Sequence, residues 1–358
     1  MIKSVLNRYK SFPIQVKASL WFLICSFLQK GISTVTTPIF TRIMNTTEYG
    51  QYNVFNSWLS IASIFVSLSL TGGVYAQGLV KFEKDRNVFT SSLQGLTLLL
   101  VAVWMVIYFI FHDFWNQLFT LSSVQMIAML VIIWTTAVFS FWSTEQRVNY
   151  KYKALVVITL VVSLAKPMVG IFCVSVTNDK VSARILGIAL VELIGYAWLF
   201  FIQVKRGEVL FSKKYWVYAL SFNLPLVPHY LSQTVLNSAD RIMIRDLVGP
   251  SDAGIYSLAY SISLLMLLFN TALMQTINPW IYRKIKDKSI KDISSVAYST
   301  LMALACLNLL LIVLAPEVVA IFAPPTYYDA IYVIPPVAMS GYFLSLIHIS
   351  EPTRLALI

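Results

Sequence analysis

Hydrophobic positions in this chain fall in long, nearly unbroken runs separated by short polar stretches. A helix needs about 20 mostly apolar residues to cross the hydrocarbon core of a bilayer. Nine runs meet that length: Gln15–Phe40, Tyr52–Gly78, Phe89–Phe111, Val124–Ser143, Ala154–Val176, Ala183–Val204, Trp216–Leu236, Gly254–Ile281 and Ile293–Ala315, with a tenth beginning near Ala330. The expected fold class is all-α, a polytopic integral membrane protein. No cleavage site of small residues follows a short apolar core, so no separate signal peptide is expected ahead of the first run.

Charge turns the runs into a topology. The N-terminal segment and the second, fourth, sixth and eighth loops together hold 19 Lys and Arg, whereas the loops on the other side hold five: Arg42, Lys180, Arg184, Arg241 and Arg245. The positive-inside rule then places the N-terminus in the cytoplasm. Only 12% of the 358 residues are charged and 58% are hydrophobic, against about 25% charged in soluble domains. A soluble enzyme, a disordered tail and a secreted disulfide scaffold are excluded. The net charge of +11 follows from the loops rather than from one basic face, so nucleic acid is not an expected partner. Cys25, Cys173 and Cys306 show no CxxC spacing, and neither zinc nor a disulfide framework is indicated.

The chain also repeats itself. Arg42-Ile-Met precedes Glu48-Tyr-Gly50-Gln-Tyr52, and Arg241-Ile-Met precedes Asp252-Ala-Gly254-Ile-Tyr256, so an acid-x-Gly-x-Tyr motif recurs 204 residues later at the same point of the topology. The plain reading is a common helix-start turn. Motif, register and topology together favour two parallel helical lobes related by an axis along the membrane normal, an arrangement used by transporters. The expected organisation is a complete six-helix lobe over 1–206 and a partial lobe over 207–343. Residues 344–358 stand apart: Leu344 to Arg354 resembles the in-frame translation of a sequencing-library adapter, and the native sequence is expected to end near Phe343.

Four segments carry a family resemblance. The segment from Ala219 through Pro225, Pro228, His229 and Asp240-Arg241-Ile-Met to Ala253-Gly254-Ile-Tyr256 resembles the polysaccharide-biosynthesis flippases, the O-antigen and capsule exporters of lipid-linked oligosaccharide. Lys30-Gly31 through Pro38-Ile-Phe-Thr-Arg42 to Glu48-Tyr-Gly50 is similar to the family's opening. Asn278-Pro279-Trp280-Ile-Tyr282 and Ala330 through Pro335-Pro336 resemble its later segments. The wider superfamily includes multidrug-and-toxin extrusion transporters. The resemblance implies a bacterial inner-membrane flippase that moves undecaprenyl-diphosphate-linked oligosaccharide outward by alternating access, with lipid-linked oligosaccharide and the bilayer as partners. Family members carry more helices in the second lobe than are found here.

Charged groups within the hydrocarbon cost about 2.5–3.5 kcal/mol each for Lys or Asp, so those inside the runs need a reason. Lys30 lies midway along the first run, Lys166 midway along the fifth beside Pro167, and Glu192 centrally in the sixth. With the resemblance, Lys30 and Lys166 read as substrate-binding cations facing the diphosphate, each a point charge strengthened by low dielectric. The plainer reading pairs Lys166 with Glu192, and both can hold together. Glu192 is a candidate for coupling to H+ or Na+, or simply a lysine's structural partner. His229 is a second coupling candidate, histidine being the side chain suited to a proton switch, although a ring satisfied within a kinked helix is the commoner case. Asp240 and Arg241 form a gate candidate at the outer end of the seventh run, or a helix-terminus pair. Pro167, Pro225 and Pro228 are expected to mark bends.

Energetics permits transport without ATP. A lipid diphosphate carries about two negative charges, each worth about 2.3 kcal/mol per 100 mV, so outward movement runs downhill in a cell with a negative interior. No phosphate-binding G-x-x-x-x-G-K-[ST] occurs, and no cofactor or metal is expected. The alternatives are a cation or multidrug exporter, which calls for acids rather than lysines at midspan, and a membrane polymerase or ligase, which calls for clustered acids and bases. The protein is not expected to be an enzyme.

Overall fold

The computed structural model describes residues 12–286 and 290–355, with side chains except for most of 267–297, for 341 and for 344–355. Among the described residues every regular element is helical. In order they are α1 (Ile14–Ile43), α2 (Thr46–Ser67), α3 (Gly73–Lys81), α4 (Arg86–Ile110), α5 (His112–Phe119), α6 (Ser123–Val148), α7 (Tyr152–Val176), α8 (Lys180–Gly207), α9 (Lys213–Asn223), α10 (Val227–Leu247), α11 (Pro250–Lys286), α12 (Ile290–Val313), α13 (Ala315–Phe322) and α14 (Ala330–Leu355). Short 3-10 turns precede α4, α10 and α14. The all-α, multi-pass membrane class read from the sequence is what the fold shows.

By length and composition alone, five helices of the described residues could cross a membrane: α1, α4 with its leading turn, α6, α7 and α8. A sixth arises if Tyr298–Val313 and Ala315–Phe322, bent by 63°, count as one span. Nine continuous spans were expected, and two of the differences have clear causes. The second run breaks after Ser67, where Leu68 and Ser69 take φ of 48° and 51°. That left-handed geometry ends the i→i−4 ladder, and the freed Leu68 carbonyl accepts from Asn223 Nδ2 at 2.8 Å. The seventh run breaks at Leu224–Leu226, because Pro225 has no N–H to continue the ladder of α9. Pro167, by contrast, sits inside an uninterrupted α7. Lys3, Arg8 and Lys10, used in the topology argument, lie outside the described residues, as do the side chains of the adapter-like segment.

The chain divides into two compact units, Met1–Met44 with Gln51–Met243, and Asn45–Gly50 with Ile244–Ile358. In the first unit α6, α7 and α8 pack side by side, with α4 against α8 and α1 against α7. Lipid is as apolar as leucine, so close packing rather than water exclusion holds such helices together. One core gathers Val138, Trp142, Val162, Tyr196 and Leu199. A second, aromatic core gathers Tyr75, Phe89, Phe141 and Tyr215, and the Tyr75 hydroxyl bonds Thr90 at 2.8 Å.

The second unit explains the repeated motif. Asn45 N donates to Glu48 Oε2 and Glu48 N to Asn45 Oδ1, both at 2.8 Å, a reciprocal cap on α2. At the other copy Gly249, with φ of 149°, leads into Pro250 at the first position of α11, and Asp252 lies in the first turn. The two glycines meet backbone to backbone. A Cβ on Gly50 would stand 1.9 Å from the Pro250 carbonyl oxygen, and one on Gly254 2.1 Å from that of Thr46. Thr46 and Pro250 are themselves 204 residues apart, so the two contacts are mirror copies. Ser251 Oγ donates to Thr46 Oγ1 at 2.8 Å across the same crossing, and Tyr49 meets the buried Tyr327 edge-on.

Candidate functional site

Within the first unit a cavity of about 260 Å³ opens between α1, α2, α7 and α8. Gln29, Ser33, Thr36 and Phe40 line it from α1, Tyr52 from α2, Ser163 and Lys166 from α7, and Arg184 from α8. Gln29 Nε2 donates to Ser163 Oγ at 3.1 Å and ties α1 to α7 beside the opening. Two of the lining residues are cations and none is an acid.

Lys166 faces two ways. Its Nζ stands 2.5 Å from Glu192 Oε1, and its side chain is 31% exposed against 5% for Glu192. The other carboxylate oxygen accepts from Thr135 Oγ1 at 2.8 Å and from Thr136 Oγ1 at 3.0 Å. Three donors from α6 and α7 therefore satisfy this buried acid, which a charge in so apolar a setting requires. The Lys166 ammonium also lies 5.9 Å from the Tyr196 ring, which stacks on Phe139 at 4.3 Å. The lysine is thus both an ion-pair partner and part of the cavity wall.

Arg184 is the site residue that sequence reasoning missed. Its guanidinium carbon lies 3.5 Å from the Phe40 ring centroid and 3.6 Å from that of Tyr52, a cation held between two aromatic rings. Its Nη1 reaches Met44 Sδ at 3.6 Å. One turn earlier, Lys180 Nζ donates to the Ile43 carbonyl at 2.8 Å, capping the C-terminal end of α1 where the helix dipole favours a cation. In the sequence Arg184 reads as one more charge at a span end.

The other candidates lie elsewhere. Lys30 is exposed on α1 and does not line the cavity. Successive helix positions point about 100° apart, and here Gln29 takes the inward one. His229 is exposed in the first turn of α10, 5.9 Å from the Tyr230 ring. Asp240 is exposed on α10 and Arg241 half-buried, its Nη1 donating to the Asn237 carbonyl at 3.4 Å. The structure brings together Lys166 and Glu192 but not Lys30, His229, Asp240 or Arg241 with them.

Comparison with known proteins places this geometry. Residues 16–285 match the model of the family described as polysaccharide biosynthesis protein. The chain belongs to that family. Among curated relatives, protein 1 of the Lsg locus of Haemophilus influenzae is 23% identical over 296 residues, covering 76% of this chain and 67% of the relative. An uncharacterised membrane protein of the same organism is 21% identical over 324 residues, covering 86% and 74%. Among solved structures, an inward-facing multidrug resistance MATE family transporter of the MOP superfamily aligns with a TM-score of 0.57 at 11% identity, over 89% of this chain and 84% of that one. A mutant of the Vibrio cholerae MATE transporter VcmN aligns at 0.50 and 12% identity, over 96% and 85%. This member of the polysaccharide biosynthesis family therefore shares the fold of MATE transporters.

Proposed function

We propose that this protein is a flippase, carrying undecaprenyl-diphosphate-linked oligosaccharide from the cytoplasmic to the outer leaflet of the bacterial inner membrane by alternating access, with its N-terminus in the cytoplasm. The observation that carries the reading is the cavity lined by Lys166 and Arg184 without an acid, in a chain of the polysaccharide biosynthesis family. Two cations in the wall, Lys166 and Arg184, favour an anion as guest, an attraction that low dielectric strengthens. The volume, about 260 Å³, falls below the range of about 300–1,000 Å³ for drug-sized ligands. It suits a phosphate group rather than a whole oligosaccharide or isoprenoid chain. Arg184 supplies a planar fork for phosphate oxygens and Lys166 a point charge.

The membrane potential provides the driving force, about 2.3 kcal/mol per charge per 100 mV, and no chemical step is assigned to the protein. A cation exporter is the weaker reading, since Glu192, the acid that pairs with the cavity-lining Lys166, is already engaged by three donors. The test is complementation of a strain lacking the gene, with surface polysaccharide as readout. Lys166→Ala and Arg184→Ala should each lose surface polysaccharide while protein remains in the membrane. Normal polysaccharide in both would overturn the assignment of the cavity.

A further inference from the structure

A second cationic feature lies in the first unit, away from the cavity. Phe82, just after α3, has the Lys81 ammonium 5.7 Å from its ring centroid and the Lys214 ammonium 5.3 Å from the same centroid. Lys81 also stands 4.5 Å from the Tyr218 ring, and Lys214 5.1 Å from that of Tyr215. Two helix ends remote in sequence, the last residue of α3 and the first turn of α9, thus hold their ammoniums on one aromatic floor, which packs in turn on Phe89. The neighbouring acids are already engaged: Asp85 accepts from the Tyr215 hydroxyl at 3.2 Å, and Glu83 pairs with Arg86 at 3.3 Å. Among the described residues no carboxylate reaches Lys81 or Lys214 within salt-bridge distance.

Apolar side chains flank these charges. Val80 is 66% exposed and Phe211 64%. Phe211 is not loose: Ser91 Oγ donates to the Val209 carbonyl at 2.8 Å, the Leu210 backbone lies against Gly95, and Phe211 meets Trp216 edge-on at 4.7 Å. A fixed, exposed aromatic ring beside clustered lysines is the composition of a surface set at the membrane–water boundary.

We propose that the Lys81–Phe82–Lys214 cluster is a docking site for the phosphate of anionic phospholipid headgroups, with Phe211 inserted among the acyl chains beside it. The site requires only that the helices cross a bilayer and does not depend on the flippase reading. Two lysines on one headgroup near an anionic membrane surface give a preference of about tenfold or more.

The experiment is native mass spectrometry of the full purified chain in mild detergent, with phosphatidylglycerol and phosphatidylcholine added in equal amounts. The wild type should retain phosphatidylglycerol preferentially. K81Q/K214Q should lose about tenfold of that preference and K81R/K214R should keep it, while K151Q/K153Q, which removes equal charge from another loop, should change it less than about threefold. Four results would overturn the site: no preference in the wild type, an unchanged preference in K81Q/K214Q, an equal loss in K151Q/K153Q, or displacement of the lipid by millimolar inorganic phosphate. The last would assign the lysines to a soluble phosphate instead. Should K81Q/K214Q fail to fold, the single variants K81Q and K214Q carry the comparison, each expected to lose about a third to a half of the effect on a logarithmic scale.

Discussion

Replacing either member of the Lys166–Glu192 pair should be far more damaging than replacing both. The pair is tight, 2.5 Å between Nζ and Oε1, and its two ends differ in access to water. Glu192 is 5% exposed and keeps only the Thr135 and Thr136 hydroxyls once the ammonium is gone. Leaving a buried charge uncompensated costs about 3–5 kcal/mol, so Lys166→Met should lie within that range. Glu192→Leu leaves an ammonium that is 31% exposed and can turn toward the cavity, so its cost should fall to about 2–3 kcal/mol, at or below the lower end for a broken buried pair. The double variant K166M/E192L exchanges the pair for apolar groups of similar length and should cost no more than about 1 kcal/mol. The coupling energy from the cycle is then about 4 kcal/mol or more. Unfolding of the detergent-solubilised chain by rising SDS fraction, followed by tryptophan fluorescence, measures all four proteins. Two small and additive single effects would refute the argument, since they would mean that neither charge is held as buried as the packing of α6, α7 and α8 implies.

Other expectations follow from the same geometry. Gly50→Ala and Gly254→Ala each place a Cβ about 2 Å from a carbonyl oxygen; each should lower stability by about 1–3 kcal/mol, seen as a fall in thermal midpoint. Gly31→Ala, with nothing within 4 Å of its Cβ, should not. Asn223→Ala removes the donor to the Leu68 carbonyl, and the orphaned group should cost about 1–3 kcal/mol by the same melting assay. Arg184→Lys keeps the charge but not the planar stack between Phe40 and Tyr52; transport should fall about tenfold, about 1.4 kcal/mol, while unchanged transport would limit Arg184 to a point charge.

Much of the helical framework was legible from hydropathy. The runs Phe89–Phe111, Val124–Ser143, Ala154–Val176 and Ala183–Val204 correspond to α4, α6, α7 and α8, with ends displaced by a few residues. Those helices are apolar almost all round, so length alone identifies them. The break at Leu68–Ser69 was not legible, because the Leu68 carbonyl is satisfied by Asn223, a partner 155 residues away. Pro225 announced the break before α10, whereas Pro167, with the same local chemistry, stays within α7. Proline marks a weak point in the ladder, and packing decides whether the helix parts there.

The site shows the same division. Lys166 and Glu192 were visible as charges at midspan, and their pairing was one of two readings offered by their positions. Charge alone placed Lys30 beside Lys166, but helical phase turns Gln29 inward and leaves Lys30 exposed. Arg184 lay hidden among the topology-determining charges. Only the approach of Phe40 and Tyr52, from two other helices, shows that its guanidinium is held in place. The acid-x-Gly-x-Tyr repeat was legible as a helix start, but the crossing of its two glycines required the fold.

The decisive measurement is translocation in proteoliposomes holding the full chain and a fluorescent undecaprenyl-diphosphate-linked oligosaccharide, with a membrane-impermeant quencher reporting the outer leaflet. The flippase reading predicts movement by the wild type that quickens when the starting side is made negative, and a loss of about tenfold or more in K166A/R184A, equivalent to about 1.4 kcal/mol or more of lost anion stabilisation. Equal rates in protein-free vesicles, or an undiminished rate in K166A/R184A, would contradict it.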